Sequence, residues 1–175
     1  MNNKIHLMEQ FNEESQKQIS NIGEGDCVGF CEAWKRVWKY WHYFDGRATR
    51  SEYWWGSFAF LLQTFVISIC IAFMLLFAEI MRSVYEMNFL GAIIEIIGLL
   101  LGIILLGRIH ISMIALDIRR FHDMGWSGWF CLLFIVLSSI PYLGYVSAIL
   151  SIGIQGFIDS NKGTNKYGRS MKYPD

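Results

Sequence analysis

WWGSFAFLLQTFVISICIAFMLLFA, Trp54 to Ala78, contains no Asp, Glu, Lys, Arg or His. A run of this length exceeds the roughly 20 apolar residues needed to cross a bilayer core, so it reads as a transmembrane helix. The rest of the 175-residue chain agrees. It is 54% hydrophobic and 16% aromatic, with 17% charged residues, against about 25% charged in soluble domains. Lys and Arg total 15 and Asp and Glu total 15, which leaves no basic excess for nucleic acid and confines any electrostatic argument to local clusters. Four cysteines, Cys27, Cys31, Cys70 and Cys131, are too few for a disulfide scaffold and read as reduced thiols. Residues 1–33, with Glu9, Glu13, Glu14, Lys17, Glu24 and Asp26, form a polar leader without an apolar core of the signal-peptide kind.

Beyond the first span, charges divide the chain. A short polar stretch with Glu79, Arg82 and Glu86 leads into a second apolar segment, residues 89–118, interrupted by Glu95, Arg108, His110 and Asp117. At 1.5 Å per residue this segment is longer than a bilayer core is thick, so part of it lies outside the hydrocarbon or the helix tilts or breaks. Arg108 then either snorkels to the interface or lies deep with a partner. Gly91, Glu95, Gly98 and Gly102 fall on one helical face, which suits close helix packing. Glu95 on that face is either a hydrogen-bonded structural residue or part of a proton or ion path. A third apolar region runs from Trp129 to Ile158 with Pro141 and Gly144 in its middle, compatible with two spans, a re-entrant hairpin or one kinked helix.

Lysines and arginines near membrane ends favour the cytoplasm. Lys35, Arg36, Lys39, Arg47 and Arg50 precede the first span, Arg119 and Arg120 follow the second, and Lys162, Lys166, Arg169 and Lys172 follow the last, with Arg82 alone between the first two. The expected architecture is an all-α polytopic membrane helical bundle. It has about four membrane helices, near residues 54–78, 89–118, 129–140 and 142–158, the last two forming a short hairpin and both termini cytoplasmic.

Two motifs are denser than anchoring requires. In FDGRATRSEYWW, Phe44 to Trp55, Thr49 or Ser51 can cap a helix whose positive end favours Glu52. In RRFHDMGWSGWF, Arg119 to Phe130, the arginines suit a helix C-terminus, Gly125 permits a turn, Ser127 can cap the next helix, and Trp126 and Trp129 mark an interface. His122 and Asp123, adjacent on a helix, point about 100° apart and do not chelate one metal together. Charges this close to hydrocarbon are costly unless paired or hydrated, so the two motifs are expected to meet.

These motifs, with IPYLG and a tail carrying KGTNKYG, resemble the bacterial inner-membrane family catalogued as domain of unknown function 805, over roughly Trp34 to Pro174. The resemblance implies a small polytopic inner-membrane protein. It carries Gly46, Arg47, Arg50, Glu52, Tyr53 and Trp54 in the first motif, Arg119, Arg120, His122, Asp123, Gly125, Ser127, Gly128 and Trp129 in the second, and Gly163, Asn165, Tyr167 and Gly168 in the tail, while Phe121 replaces the usual leucine. The leading functional expectation is a non-enzymatic module that binds anionic lipid headgroups, or a membrane partner or second copy, with no cofactor, metal or nucleic acid. Its binding residues are Arg47, Arg50, Glu52, Trp54, Arg119, Arg120, His122, Asp123, Trp129 and Asn165. A transporter or channel subunit using Glu95 and Arg108, and an enzyme on lipid-linked phosphate using His122 and Asp123, are the alternatives.

Overall fold

The computed structural model describes residues 28–173, so most of the polar leader, Cys27 included, lies outside the described residues. Within them the chain is all-helical: α1 Phe30–Lys39, α2 Arg50–Ser83, α3 Asn88–Asp123, α4 Trp129–Ser138 and α5 Leu143–Phe157. α2 and α3, with 34 and 36 residues, are each roughly 50 Å long and form an antiparallel pair that overshoots a bilayer core of about 30 Å.

The two helices touch along the glycine face of α3. A side chain at Gly91 would meet the Ala78 carbonyl oxygen at 2.9 Å, one at Gly102 would meet Ile71 Cδ1 at 2.8 Å, and Met74 lies over Gly98. Elsewhere α2 and α3 turn Leu, Ile, Val and Phe outward. Only 6% and 17% of their most apolar stretches are buried inside the molecule. A core helix of a soluble protein would be buried there, so these surfaces need hydrocarbon around them. The protein is a membrane protein.

α1 packs against the start of α2 and the C-terminal half of α3. The Val37 carbonyl accepts from Ser112 Oγ at 2.6 Å and the Trp38 carbonyl accepts from Arg108 Nη2 at 3.2 Å. The Arg108 guanidinium stands 4.2 Å from the Trp38 ring centroid and 5.5 Å from that of Trp41. Arg108 therefore sits at the level of α1, whose exposed Lys35 and Lys39 mark a polar boundary. The sequence reading placed the end of the leader at residue 33 and assigned no helix here. The basic-aromatic interleaving of α1 reads as a membrane anchor and hides the short helix beneath it.

α4 and α5 form a hairpin turning through residues 139–142. Ser147 Oγ donates to the Phe134 carbonyl at 3.1 Å, and the Ser138 carbonyl approaches Gly144 so closely that a Cβ there would lie at 2.6 Å from it. At 10 and 15 residues the arms are roughly 15 and 22 Å long, shorter than a bilayer core. The hairpin begins and ends at the C-terminal end of α3, because Asn161 N donates to the Asp123 carbonyl at 2.9 Å. Phe121, fully buried, fills the joint: its ring stacks with Trp126 and Phe134 at 6.2 and 6.0 Å. The larger aromatic thus occupies the leucine position.

The glycine face gives a direct test. Gly91→Ala presses a methyl against backbone and should lower the thermal unfolding midpoint in detergent, an overpacking cost of about 1–3 kcal/mol. Gly107→Ala, with nothing within 4 Å of its new Cβ, should leave the midpoint unchanged or raise it.

Candidate functional site

Thr49 starts α2, its hydroxyl accepting from Glu52 N at 3.2 Å. That cap turns Glu52 inward, where it is 1% exposed. Its two oxygens are divided between two guanidinium groups: Arg119 Nη1 donates to Oε1 and Arg36 Nη1 to Oε2, both at 3.0 Å. A second bridge lies beside the first. Arg47 Nε donates to Asp123 Oδ1 at 2.9 Å, and Arg120 Nη1 donates to Asp123 Oδ2. Arg119 and Arg120 point about 100° apart on α3, and so each reaches a different carboxylate. All six side chains are buried.

Arg36 Nε donates to Glu32 Oε1 at 3.2 Å, and the further contacts of Arg47 and Arg120 go to main-chain carbonyls. Arg47 has five N–H donors, and five acceptors surround it. Besides Asp123 Oδ1 these are the carbonyls of Gly163 at 2.9 Å, Gly168 at 3.2 Å, Asp123 at 3.2 Å and Asn161 at 2.5 Å. Arg120, fully buried, donates to the carbonyls of Gln155 at 2.7 Å, Ile158 at 2.5 Å and Ala48 at 3.4 Å. The last turn of α5 leaves its carbonyls without helical donors. Arg120 meets those of Gln155 and Ile158, Trp54 Nε1 meets Gly156 at 3.2 Å, and Arg50 Nη1 reaches Phe157 at 3.5 Å. Trp54 and Gly156 lie so close that any side chain at 156 would collide with the indole.

The tail completes the site. Asn165 Nδ2 donates to the His122 carbonyl at 3.0 Å, and the His122 and Tyr167 rings stack at 3.6 Å and 7°. Asp159 accepts from Lys172 Nζ at 2.6 Å and from the Tyr173 hydroxyl at 2.9 Å, with Arg50 at 3.5 Å. The Lys172 contact, then the Ser160 N–H and the Tyr173 hydroxyl, hold the Asp159 carboxyl below its ordinary 3.8. A depressed carboxyl stabilises the tail fully above that value and loses the effect as the pH falls through the lower folded value.

Of the residues expected to form a site, Arg47, Arg119, Arg120, Glu52 and Asp123 are thus brought together as two bridges, Trp54 and Arg50 hold the end of α5, and His122 and Asn165 dock the tail. Trp129 stands apart, 76% exposed. Ser127 does not cap α4 as expected: the N-cap is Gly128 without a side-chain cap bond, and Ser127 Oγ lies 3.5 Å from Trp129 N. Tyr167, named in the tail motif but not as a site residue, belongs to the constellation, as do Arg36, Asn161, Gln155 and Asp159, which were not expected there; Gln155 and Asp159, polar residues closing an apolar run, were the available signal. Glu95 and Arg108 lie roughly 20 Å apart along α3, and Glu95 pairs instead with Arg82 Nη2 at 2.5 Å across the loop.

Chemically, a carboxylate whose two oxygens are both taken up by guanidinium donors suits structure rather than proton transfer. Asp123 is committed to Arg47 and Arg120, so it does not orient His122. The cavity beside Glu52, lined by Arg36, Tyr40, Asp45 and Arg119 among others, measures about 30 Å³, room for a water and not for a headgroup.

A helical membrane bundle with a hairpin and a charged end closed by buried ion bridges is the class that these features define. The chain matches the family described as protein of unknown function, DUF805, over residues 41–169, and belongs to it. It is 31% identical over 137 residues to the inner membrane protein YhaI of Escherichia coli K12, covering 74% of this chain and 86% of that protein, and the O157:H7 protein of the same name matches equally. No solved structure matches the chain. Both bridge carboxylates and three of their four arginines fall within the matched residues, whereas Arg36 precedes them.

Removing one anion should expose the role of the bridges. Asp123→Asn leaves Arg47 and Arg120 buried without a countercharge, a loss of about 3–5 kcal/mol, visible as lower folded yield and a lower unfolding midpoint. Asp117→Asn should be neutral or stabilising, because Asp117 Oδ1 is buried without a hydrogen-bond partner.

Proposed function

We propose that this protein is a non-enzymatic module of the bacterial inner membrane whose charged end faces the cytoplasm and gathers anionic lipid headgroups. The observation that carries the reading is a division of labour among its cations. Arg36, Arg47, Arg119 and Arg120 are buried in the bridges, so they hold the scaffold. Around them Lys35, Lys39, Lys162, Lys166 and Arg169 are exposed, with Arg50 and Lys172 partly so, against exposed Glu32, Asp45 and Asp159. This surplus of positive charge surrounds a belt containing Trp38, Trp41, Trp54 and Trp129, the arrangement that suits an anionic leaflet. At the opposite end Arg82 is neutralised by Glu79 and Glu95, which favours placing that end outside. The relatives' name, inner membrane protein, supports the same location.

In bilayers of mixed phosphatidylcholine and phosphatidylglycerol, spin-labelled phosphatidylglycerol should be enriched around the full chain, and added salt should reduce the enrichment. Lys35→Gln and Lys162→Gln should each lower it, by at most about fivefold, given roughly 1 kcal/mol per surface cation. Equal association of both lipids at low salt would overturn the reading. Orientation is checked separately: Lys166→Cys in a background without other cysteines should react with a membrane-impermeant maleimide from the cytoplasmic side only.

A further inference from the structure

Between the end of α3 and the start of α4 lies an open groove of about 520 Å³, within the range of small-molecule sites. Its walls are Ile114 and Ile118 from α3 and Leu132 and Ile135 from α4, and its upper end carries His122 and Ser127. From Ile114 to His122 it extends roughly 12 Å along α3, passing from wholly apolar to polar. Leu132 and Ile135 are 48% and 42% exposed, so the groove opens on the apolar surface of the hairpin. At the polar end Tyr167, which also lines the groove, stacks on His122, and the Lys166 ammonium stands 4.8 Å from the Tyr167 ring centroid. The exposed Trp129 indole flanks the mouth.

We propose that this groove is a discrete lipid site: it takes one acyl chain of a diacyl phospholipid and presents the lipid's anionic phosphate to Lys166. The gradient of the walls matches an amphiphile standing along the membrane normal, and the Lys166 ammonium beside Tyr167 at the polar end matches a headgroup with net negative charge. The proposal rests on the orientation and lipid preference argued above, but it differs in kind. Surface cations give a diffuse, salt-sensitive enrichment, whereas a seated chain remains with the protein after extraction.

Native mass spectrometry of the full chain, extracted in detergent with equal amounts of long-chain phosphatidylglycerol and phosphatidylcholine, reads this directly. One phosphatidylglycerol should be retained per chain, with Lys166→Gln reducing its preference over phosphatidylcholine about fivefold. Leu132→Trp, which fills the groove, should abolish retention of both lipids while the salt-sensitive enrichment in bilayers persists. A short-chain phosphatidylglycerol with the same headgroup should not be retained by the unmodified chain, a test independent of any variant's folding. Retention of the short-chain lipid, equal retention of phosphatidylcholine, or a mass of two chains in place of a lipid adduct would overturn the site. If the lipid adduct is absent but bilayer enrichment remains, the site fails and the broader reading stands.

Discussion

Two carboxylates, each held between two guanidinium groups, are the contacts on which the charged end of this protein depends. Four arginines beside an apolar bundle are tolerable only if every one finds an anion or enough dipoles. Glu52 and Asp123 supply the anions, and the carbonyls of Ala48, Gln155, Ile158, Asn161, Gly163 and Gly168 supply the dipoles. The same bonds satisfy the last turn of α5, whose carbonyls have no helical donors of their own. One set of side chains therefore solves two problems: it neutralises buried charge and it allows a hairpin of two short helices to end beside α3.

The opposite end is held by different physics. There the α2–α3 contact rests on Gly91, Gly98 and Gly102, which bring backbone against Ala78 and side chains against Ile71 and Met74, with Arg82 and Glu95 as a partly exposed pair at its margin. Lipid chains are as apolar as leucine, so close packing of small residues supplies attraction that hydrophobicity cannot. The glycine face is dispersion and shape; the charged end is hydrogen bonding.

Much of this was legible because each signal was local. An uninterrupted apolar run announces α2, the spacing of three glycines announces the α2–α3 contact, and Pro141 with Gly144 announces the hairpin turn. Thr49 as a cap and the left-handed turn at Gly125, φ +80°, follow from residue type. The site was only half legible. That Glu52 and Asp123 would meet arginines follows from the cost of burying charge, but which arginine meets which carboxylate depends on a 100° step along α3. Arg36 was hidden because its surroundings also describe a membrane anchor. The acceptors of Arg47 and Arg120 are mostly main-chain carbonyls, which every residue carries, so no letter of the sequence marks them.

The bridges also impose an order on synthesis. Arg47 leaves the ribosome long before its acceptors at Asp123, Asn161, Gly163 and Gly168, and Arg120 before those at Gln155 and Ile158. Once α3 is made, Arg47 and Arg120 have only part of their set, Asp123 and for Arg120 the Ala48 carbonyl, and the other carbonyls lie further along the chain. Gly163 and Gly168 of the KGTNKYG tail complete the acceptor set of Arg47. The stretch from Gln155 to Gly168 thus supplies the carbonyls that tie the hairpin and the tail to the arginines of the charged end.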